Sequence, residues 1–321
     1  MTDPGPVTGW LLDSDPSIRW QVMRDLLDTP EPEWAAERAK VETEGWGARL
    51  LSDEDEDGQW AGGAFFPRDF DVREWHEIGQ PWTATTYSLS QLREFGLDPG
   101  SDRIKRAVEL IGANSRWDHA GQPFWEGEVE ECINGRTVAD GAYFGVDISV
   151  LAGKLAGQRQ GDGGWNCERA NGSVRSSFAT TINVLEGLLE YERATGGTPE
   201  SREARKSGEE YLLERELFRR LSTGEPADEP FLSFLHPSRW RYDVLRALDY
   251  FWSAAALTGA APDPRLGEAV KHVRARRLAD GTWQLDWSLP GRVWFEVDEG
   301  AGKPSRWVTL RAMRVLRWWE R

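Results

Sequence analysis

The sequence predicts an all-α fold, a closed (α/α)6 toroid in which the whole chain, residues 1–321, forms one domain. Two repeats carry that reading. A helix signature, with Pro or Ser followed by an aromatic residue and then aliphatics at helical spacing, recurs around the chain. It reads Pro16-Ser17-Ile18-Arg19-Trp20, Pro237-Ser238-Arg239-Trp240 and Pro304-Ser305-Arg306-Trp307, each running into an apolar stripe. The second repeat is a turn, Asp-Gly-x-Trp, found at Asp57–Trp60, Asp162–Trp165 and Asp280–Trp283. In the middle copy the variable position is itself a glycine, Gly164. A fixed repeat of this kind implies equivalent packing in each unit.

In chain order, six related inner helices are expected to begin near 17, 81, 137, 176, 238 and 305. Pro81-Trp82-Thr83-Ala84-Thr85-Thr86-Tyr87 and Ser177-Phe178-Ala179-Thr180-Thr181 fit the signature closely, and Arg136–Tyr143 more loosely. Between them lie polar amphipathic segments over 33–51, 102–114, 146–158, 201–221 and 264–278, each with one apolar stripe, as outer helices require. Closing six such pairs into a ring hides the ends that an open solenoid must cap. Gly58, Gly163 and Gly281 suit the positive φ of a tight reversal. Trp60, Trp165 and Trp283 are expected between adjacent helix pairs, away from any central cavity.

Composition narrows the function classes. Hydrophobic residues make up 39% and charged residues 29%, and no apolar run approaches the ~20 residues of a membrane span. The N-terminus lacks a basic segment followed by an apolar core, so the expected location is cytoplasmic. A net charge of −15 argues against nucleic acid as a partner. Two cysteines make no disulfide framework, and oligomeric state is not legible. Eighteen tryptophans fit either an aromatic lining of a cavity or an anchor in each repeat.

The Asp-Gly-x-Trp turns between paired helices resemble the tryptophan turns of squalene cyclases and the related repeats of protein prenyltransferases. More narrowly, the chain resembles bacterial squalene-cyclase-like proteins of about this length. The resemblance implies a central aromatic-lined cavity and a terpenoid cyclase or prenyltransferase-like protein, whose partner is an isoprenoid or similar apolar small molecule. The Asp-x-Asp-Asp proton donor of squalene cyclases is missing; the nearest acidic string, Asp53-Glu54-Asp55-Glu56, precedes a turn. Two alternatives from other classes stand beside this reading: a non-catalytic toroid that binds a ligand or protein, and a carbohydrate-active α/α barrel.

Residues just before the inner helices are expected to share one mouth of the ring. Cys132, Cys167 and His236 fall there in consecutive repeats, and two thiolates with an imidazole suit tetrahedral zinc with an open fourth position. Protein prenyltransferases and lanthionine cyclases place zinc at this mouth, so the resemblance implies the same possible cofactor. His119 is the alternative nitrogen ligand, and plain packing cysteines are the alternative to a metal site.

Arg19, Arg136, Arg175, Arg239 and Arg306 sit near the same helix starts and suit an anionic head group. Pairing of each arginine with a neighbouring acid is the competing reading. Trp82, Tyr143, Trp240 and Trp307 are the aromatic candidates for substrate contact. Asp140 and Asp243 are the acid/base candidates for an enzyme. A carboxylate-rich stretch, Glu126, Glu128, Glu130 and Glu131 with Asp118 upstream, is the candidate pair-bearing segment for chemistry on sugars.

Overall fold

A computed structural model of the chain describes residues 5–321; the reading of the extreme N-terminus rests on residues 1–4 and lies outside them. The described residues are helical, with isolated bridges and no β-strand. The first half contains α1 (Gly5–Leu12), α2 (Pro16–Asp25), α3 (Glu31–Ala39), α4 (Gly45–Ser52), α5 (Val72–Ile78), α6 (Thr85–Phe95) and α7 (Asp102–Asn114). The second contains α8 (Glu131–Tyr143), α9 (Ser149–Gly157), α10 (Phe178–Thr195), α11 (Pro199–Leu213), α12 (Val244–Thr258), α13 (Gly267–Ala275) and α14 (Arg306–Trp319).

Six of these, α2, α6, α8, α10, α12 and α14, correspond to the expected inner helices. Each touches the next in that order, and α14 touches α2, so the contacts close into a cycle. Burial separates them from the other helices. Nine residues of α6 are buried, from Thr85 to Phe95 with few gaps, so the helix is covered on all sides. By contrast α7 buries only Ile104, Ala107, Val108 and Ile111, a single stripe at i, i+3, i+4 and i+7.

The three Asp-Gly-x-Trp turns fasten the two kinds of helix together by the same bonds. The indole N–H groups of Trp60, Trp165 and Trp283 donate to the carbonyls of Leu50, Leu155 and Val273, at 2.8, 2.7 and 2.7 Å. These carbonyls lie near the ends of α4, α9 and α13. The backbone N–H of each tryptophan donates to a threonine hydroxyl in the first turn or two of an inner helix: Thr85, Thr181 and Thr309, at 3.1, 3.1 and 2.9 Å. All three indoles are fully buried. Gly58, Gly163 and Gly281 have φ of 84, 101 and 88°, as the reversal requires.

Helix boundaries depart from expectation in ways that matter for the site. The inner helix expected near 137 starts at Glu131, so Cys132 lies within its first turn. The one expected near 238 starts at Val244, where the Asp243 carboxylate caps the N–H of Arg246 at 2.8 Å. Pro81 and Trp82 lie outside the helix, and Trp82 N–H donates to the Arg292 carbonyl at 2.7 Å, so α6 waits until Thr85. The outer segment 33–51 is broken, and 201–221 stops as a helix at Leu213.

The closest crossing is between α8 and α10. A side chain on Gly135 would run into the Asn183 carbonyl oxygen, and one on Gly187 into the Gly135 carbonyl oxygen. Backbone therefore packs on backbone there.

Candidate functional site

The ring encloses a cavity of about 520 Å³ with lining residues from all six inner helices. Its two ends differ. Tyr87 and Trp307, near the N-terminal ends of α6 and α14, are buried, as is Arg239 before α12. At the C-terminal ends, Leu257 of α12 and Arg193 of α10 are more than a third exposed. The cavity is thus a well that opens at the helix C-termini. The expected mouth at the helix N-termini is its floor, which corrects the sequence reading.

Loop lengths explain the reversal. The C-terminal ends of α6, α10 and α12 finish at left-handed Gly96, Gly196 and Gly259 and leave that face bare. The long segments before the inner helices fold over the other face. Trp294 donates to the Thr83 carbonyl at 3.1 Å, and Asp286 N–H donates to the Phe234 carbonyl at 2.9 Å.

The lining is heavily charged, a second difference from the aromatic-lined cavity expected. Aromatic side chains are present, among them Trp20, Tyr87, Tyr143, Tyr250, Trp252 and Trp307, but nine arginines and four acids share the wall with them. Most of the arginines are paired. Arg93 binds Asp140 at 2.7 Å, Arg246 holds Glu186 at 2.6 Å, and Arg314 holds Asp249 at 2.5 Å. Arg311 pairs with Glu94, Arg193 with Glu190 and Arg24 with Asp25.

Three lining arginines have no carboxylate partner among the described residues: Arg38, Arg136 and Arg239. Arg38 is satisfied by neutral groups, donating to the Gly96 carbonyl at 2.7 Å and the Tyr143 hydroxyl at 2.9 Å at the C-terminal end of α6. Arg136 donates once, to the backbone carbonyl of Arg239, and its buried Nε has no partner. Among the described residues the Arg239 guanidinium has no hydrogen-bond partner; it lies over the faces of Trp82 and Tyr87, 5.5 and 5.8 Å from the ring centres. Burial and the neighbouring Arg136 push its pKa down to about 10. It remains a cation at neutral pH.

The other site candidates fall into three groups. Arg136, Arg239, Tyr143 and Trp307 line the well. Trp82 supports Arg239 from behind, donating its indole N–H to the Pro290 carbonyl at 3.0 Å. Arg175, Arg306, Trp240 and Arg19 lie elsewhere. Arg175 is exposed, Arg306 stacks on Trp10, Trp240 lines a surface groove, and Arg19 pairs with Glu37 at 2.5 Å.

The acid/base candidates are engaged structurally. Asp140 accepts from Arg93 and from the Ser90 hydroxyl at 2.6 Å. Asp243 is a helix cap outside the lining, with its pKa raised to about 6 by burial. In the acidic stretch, Glu131 is buried against Arg169 at 2.5 Å, and Glu128 accepts the Glu130 backbone N–H at 2.7 Å. Asp118 accepts the N–H of Phe65 at 3.0 Å. None of these faces the well.

The cysteines meet. Cys132 Sγ and Cys167 Sγ are 2.6 Å apart, with the Thr180 hydroxyl 3.3 Å from Cys167 and the Glu130 carboxylate 3.5 Å from Cys132. The tight α8–α10 crossing brings them together, since Thr180 opens α10. Sharing a hydrogen with Cys167, together with burial, pushes the Cys132 thiol well above its ordinary pKa.

The ligand atoms that converge are those of Glu130, Cys132 and Cys167, within 4.8 Å of one another. His236 is not among them, and His119 is not either. His236 is buried in the floor, stacked on Trp307 at 4.8 Å with Nδ1 3.8 Å from Glu94. Two sulfurs and a carboxylate fit a thiophilic divalent ion, which would draw protons off the thiols. The set expected from the sequence, with His236 as third ligand, does not assemble.

Sequence reasoning missed Glu94, Glu186, Asp249 and Arg311. They lie on the inner helices at positions that face the axis, but charge within an apolar repeat reads as a solvated face until the ring closes around it.

No protein-family model matches the chain, and no curated protein matches it. Among solved structures it is similar to the crystal structure of a protein from Actinoplanes, at 14% identity and a TM-score of 0.45, covering 96% of this chain and 91% of that one.

Proposed function

We propose that the well binds an anionic small molecule, with its acid group on the floor against Arg136 and Arg239. The observation that carries this reading is two adjacent guanidiniums, the buried Arg239 and the half-buried Arg136, without a carboxylate between them, in a chain whose net charge is −15. A buried cation is normally paired, because taking its charge out of water is costly. Six of the nine lining arginines obey that rule, so the two on the floor stand out as groups awaiting a partner. An isoprenoid tail alone would leave them unpaired, and charged side chains share the wall above them with the aromatic ones. The charge therefore favours the head-group part of the sequence expectation over the apolar part.

The reading is of a binding protein. The four lining acids are tied to arginines, and Asp140 and Asp243 hold structural bonds. Cys132, Cys167 and Glu130 are the chain's candidates for holding a metal such as zinc beneath the floor, one helical turn before Arg136, and anion binding does not require an ion there. Calorimetric titration with citrate and with inorganic pyrophosphate tests the reading. One saturable site per chain is expected, weakened at least 10-fold by Arg239→Gln. Absence of binding by both anions, or equal affinity in Arg239→Gln, refutes it.

A further inference from the structure

Resting on that reading, we infer that the floor is built for a doubly charged phosphoryl group, and that the well takes the phosphomonoester of a hydroxylated small molecule. Three observations converge on this class.

The first is the charge count at the floor. Arg136 reaches the Arg239 backbone carbonyl, and its charge lowers the affinity of the Arg239 guanidinium for its proton. A carboxylate neutralises one guanidinium and leaves the second as an uncompensated buried charge. A phosphomonoester carries about −1.5 to −2 at neutral pH and neutralises both.

The second is the donor inventory. Arg239 is 5% exposed, and among the described residues its guanidinium donors have no acceptor, only the ring faces of Trp82 and Tyr87. Arg136 Nε, Trp307 Nε1 and both ring nitrogens of His236 are buried without a partner. Buried polar atoms are rarely left so, and several together mark a place where a bound group belongs. The orphans, apart from one nitrogen of neutral His236, are donors. Burial, with Arg311 and Arg239 nearby, holds His236 well below its ordinary pKa, so it adds no charge; it stacks on Trp307 behind the lining of the well. Three phosphoryl oxygens accept more of these bonds than a planar carboxylate does. Arg239 also holds φ of 50°, a left-handed conformation unfavourable for a side chain with a Cβ, and such outliers gather at ligand clamps.

The third is the wall above the floor. Gln21, Ser90, Gln91, Tyr250 and Ser253 line it beside the paired acids. Such a wall mixes aromatic faces with hydroxyl and amide groups that can still exchange hydrogen bonds with the hydroxyls of a ligand.

The test compares four probes on the full chain by calorimetry at neutral pH: glycerol 3-phosphate, its methyl phosphodiester, glycerate and geranyl phosphate. Glycerol 3-phosphate is expected to bind at least 10-fold more tightly than the singly charged diester and glycerate, and more tightly than geranyl phosphate. Arg136→Gln and Arg239→Gln should each abolish that preference, whereas Arg239→Lys keeps the charge, loses the fork, and restores it only in part.

A second readout separates a binding role from a structural one. Ligand-free Arg239→Gln is expected to melt at a higher temperature than the natural chain, because the substitution removes an unpaired buried charge. A structural arginine would do the reverse. Equal affinity for phosphomonoester, diester and glycerate overturns the inference while leaving anion binding intact. Tighter binding of geranyl phosphate overturns the hydroxylated body. A lowered melting temperature in ligand-free Arg239→Gln overturns the assignment of Arg239. Failure of every anion, citrate and pyrophosphate included, removes the anion reading itself.

Discussion

Replacing Trp165 with alanine tests how the ring is held together. The indole is fully buried between α9, α10 and α11, with Gly208 so close that a side chain there would strike the ring. Deleting a buried Trp typically costs about 3–5 kcal/mol. The lost bond to the Leu155 carbonyl adds roughly 1 kcal/mol and no more, because that carbonyl also accepts from Gln158 N–H and is not orphaned. The sum is about 4–6 kcal/mol. At roughly 2–4 °C per kcal/mol for a large domain, this corresponds to a fall in melting temperature of about 8–24 °C. Trp165→Phe keeps most of the packing and is expected to cost about half as much. Thr181→Val leaves the Trp165 backbone N–H without its acceptor and should cost about 1–3 kcal/mol. Urea unfolding measures all three. Anion affinity should not change, since Trp165 is not in the lining of the well. A Trp165→Ala chain within 1 kcal/mol of the natural one, or one that keeps its stability and loses anion binding, would show that wall and cavity have been assigned the wrong way round.

Asp243→Asn should stabilise the chain at high pH and leave it unchanged at low pH. The folded carboxyl titrates near 6 against an ordinary 3.8, so the folded state holds a proton that the unfolded state has released. The stability this group contributes is full below about pH 4 and is lost as pH rises through 6. Asparagine caps as well as aspartate and carries no charge. The gain at pH 8 is expected to be about 1–3 kcal/mol in urea unfolding, and an equal gain at pH 4 would refute the argument. Gly187→Ala should destabilise by about 1–3 kcal/mol, although alanine is the better helix former by roughly 1 kcal/mol, because α8 and α10 must separate to admit the methyl group. It should also weaken anion binding by displacing Arg136, and a stabilised variant would show that the crossing is not close-packed.

The layering of helices was legible because it is written locally. An apolar stripe and an Asp-Gly-Trp turn each describe their own few residues, and repetition does the rest. The well was legible only in part. Arg136 and Arg239 were found because they flank helix starts, yet Arg175 and Arg306 share that property and point away. The difference lies in rotation about the helix axis and in loops of unequal length, neither of which a start signal encodes. Cys132 and Cys167 were expected to approach each other, and they do. His236 does not join them: α12 begins six residues later than its signature, which leaves His236 in the covering segment and inside the floor.

The same geometry accounts for an apparent conflict in charge. A chain with net charge −15 should repel anions, but that charge is spread over the outer surface, where salt screens it beyond about 8 Å at physiological ionic strength. The floor of the well lies among buried residues at the N-terminal ends of the inner helices, where screening is weaker and two guanidiniums act at short range. Opening at the helix C-termini leads the ligand past the paired acids Glu190 and Asp249 first. Their partners Arg193 and Arg314 cancel them locally, so the path down is near neutral and the uncompensated charge is met at the bottom. Selection among anions therefore falls to the floor and to the hydrogen-bonding wall above it, not to the surface field. That is why removing one guanidinium there should abolish a preference that removing a surface charge would leave in place.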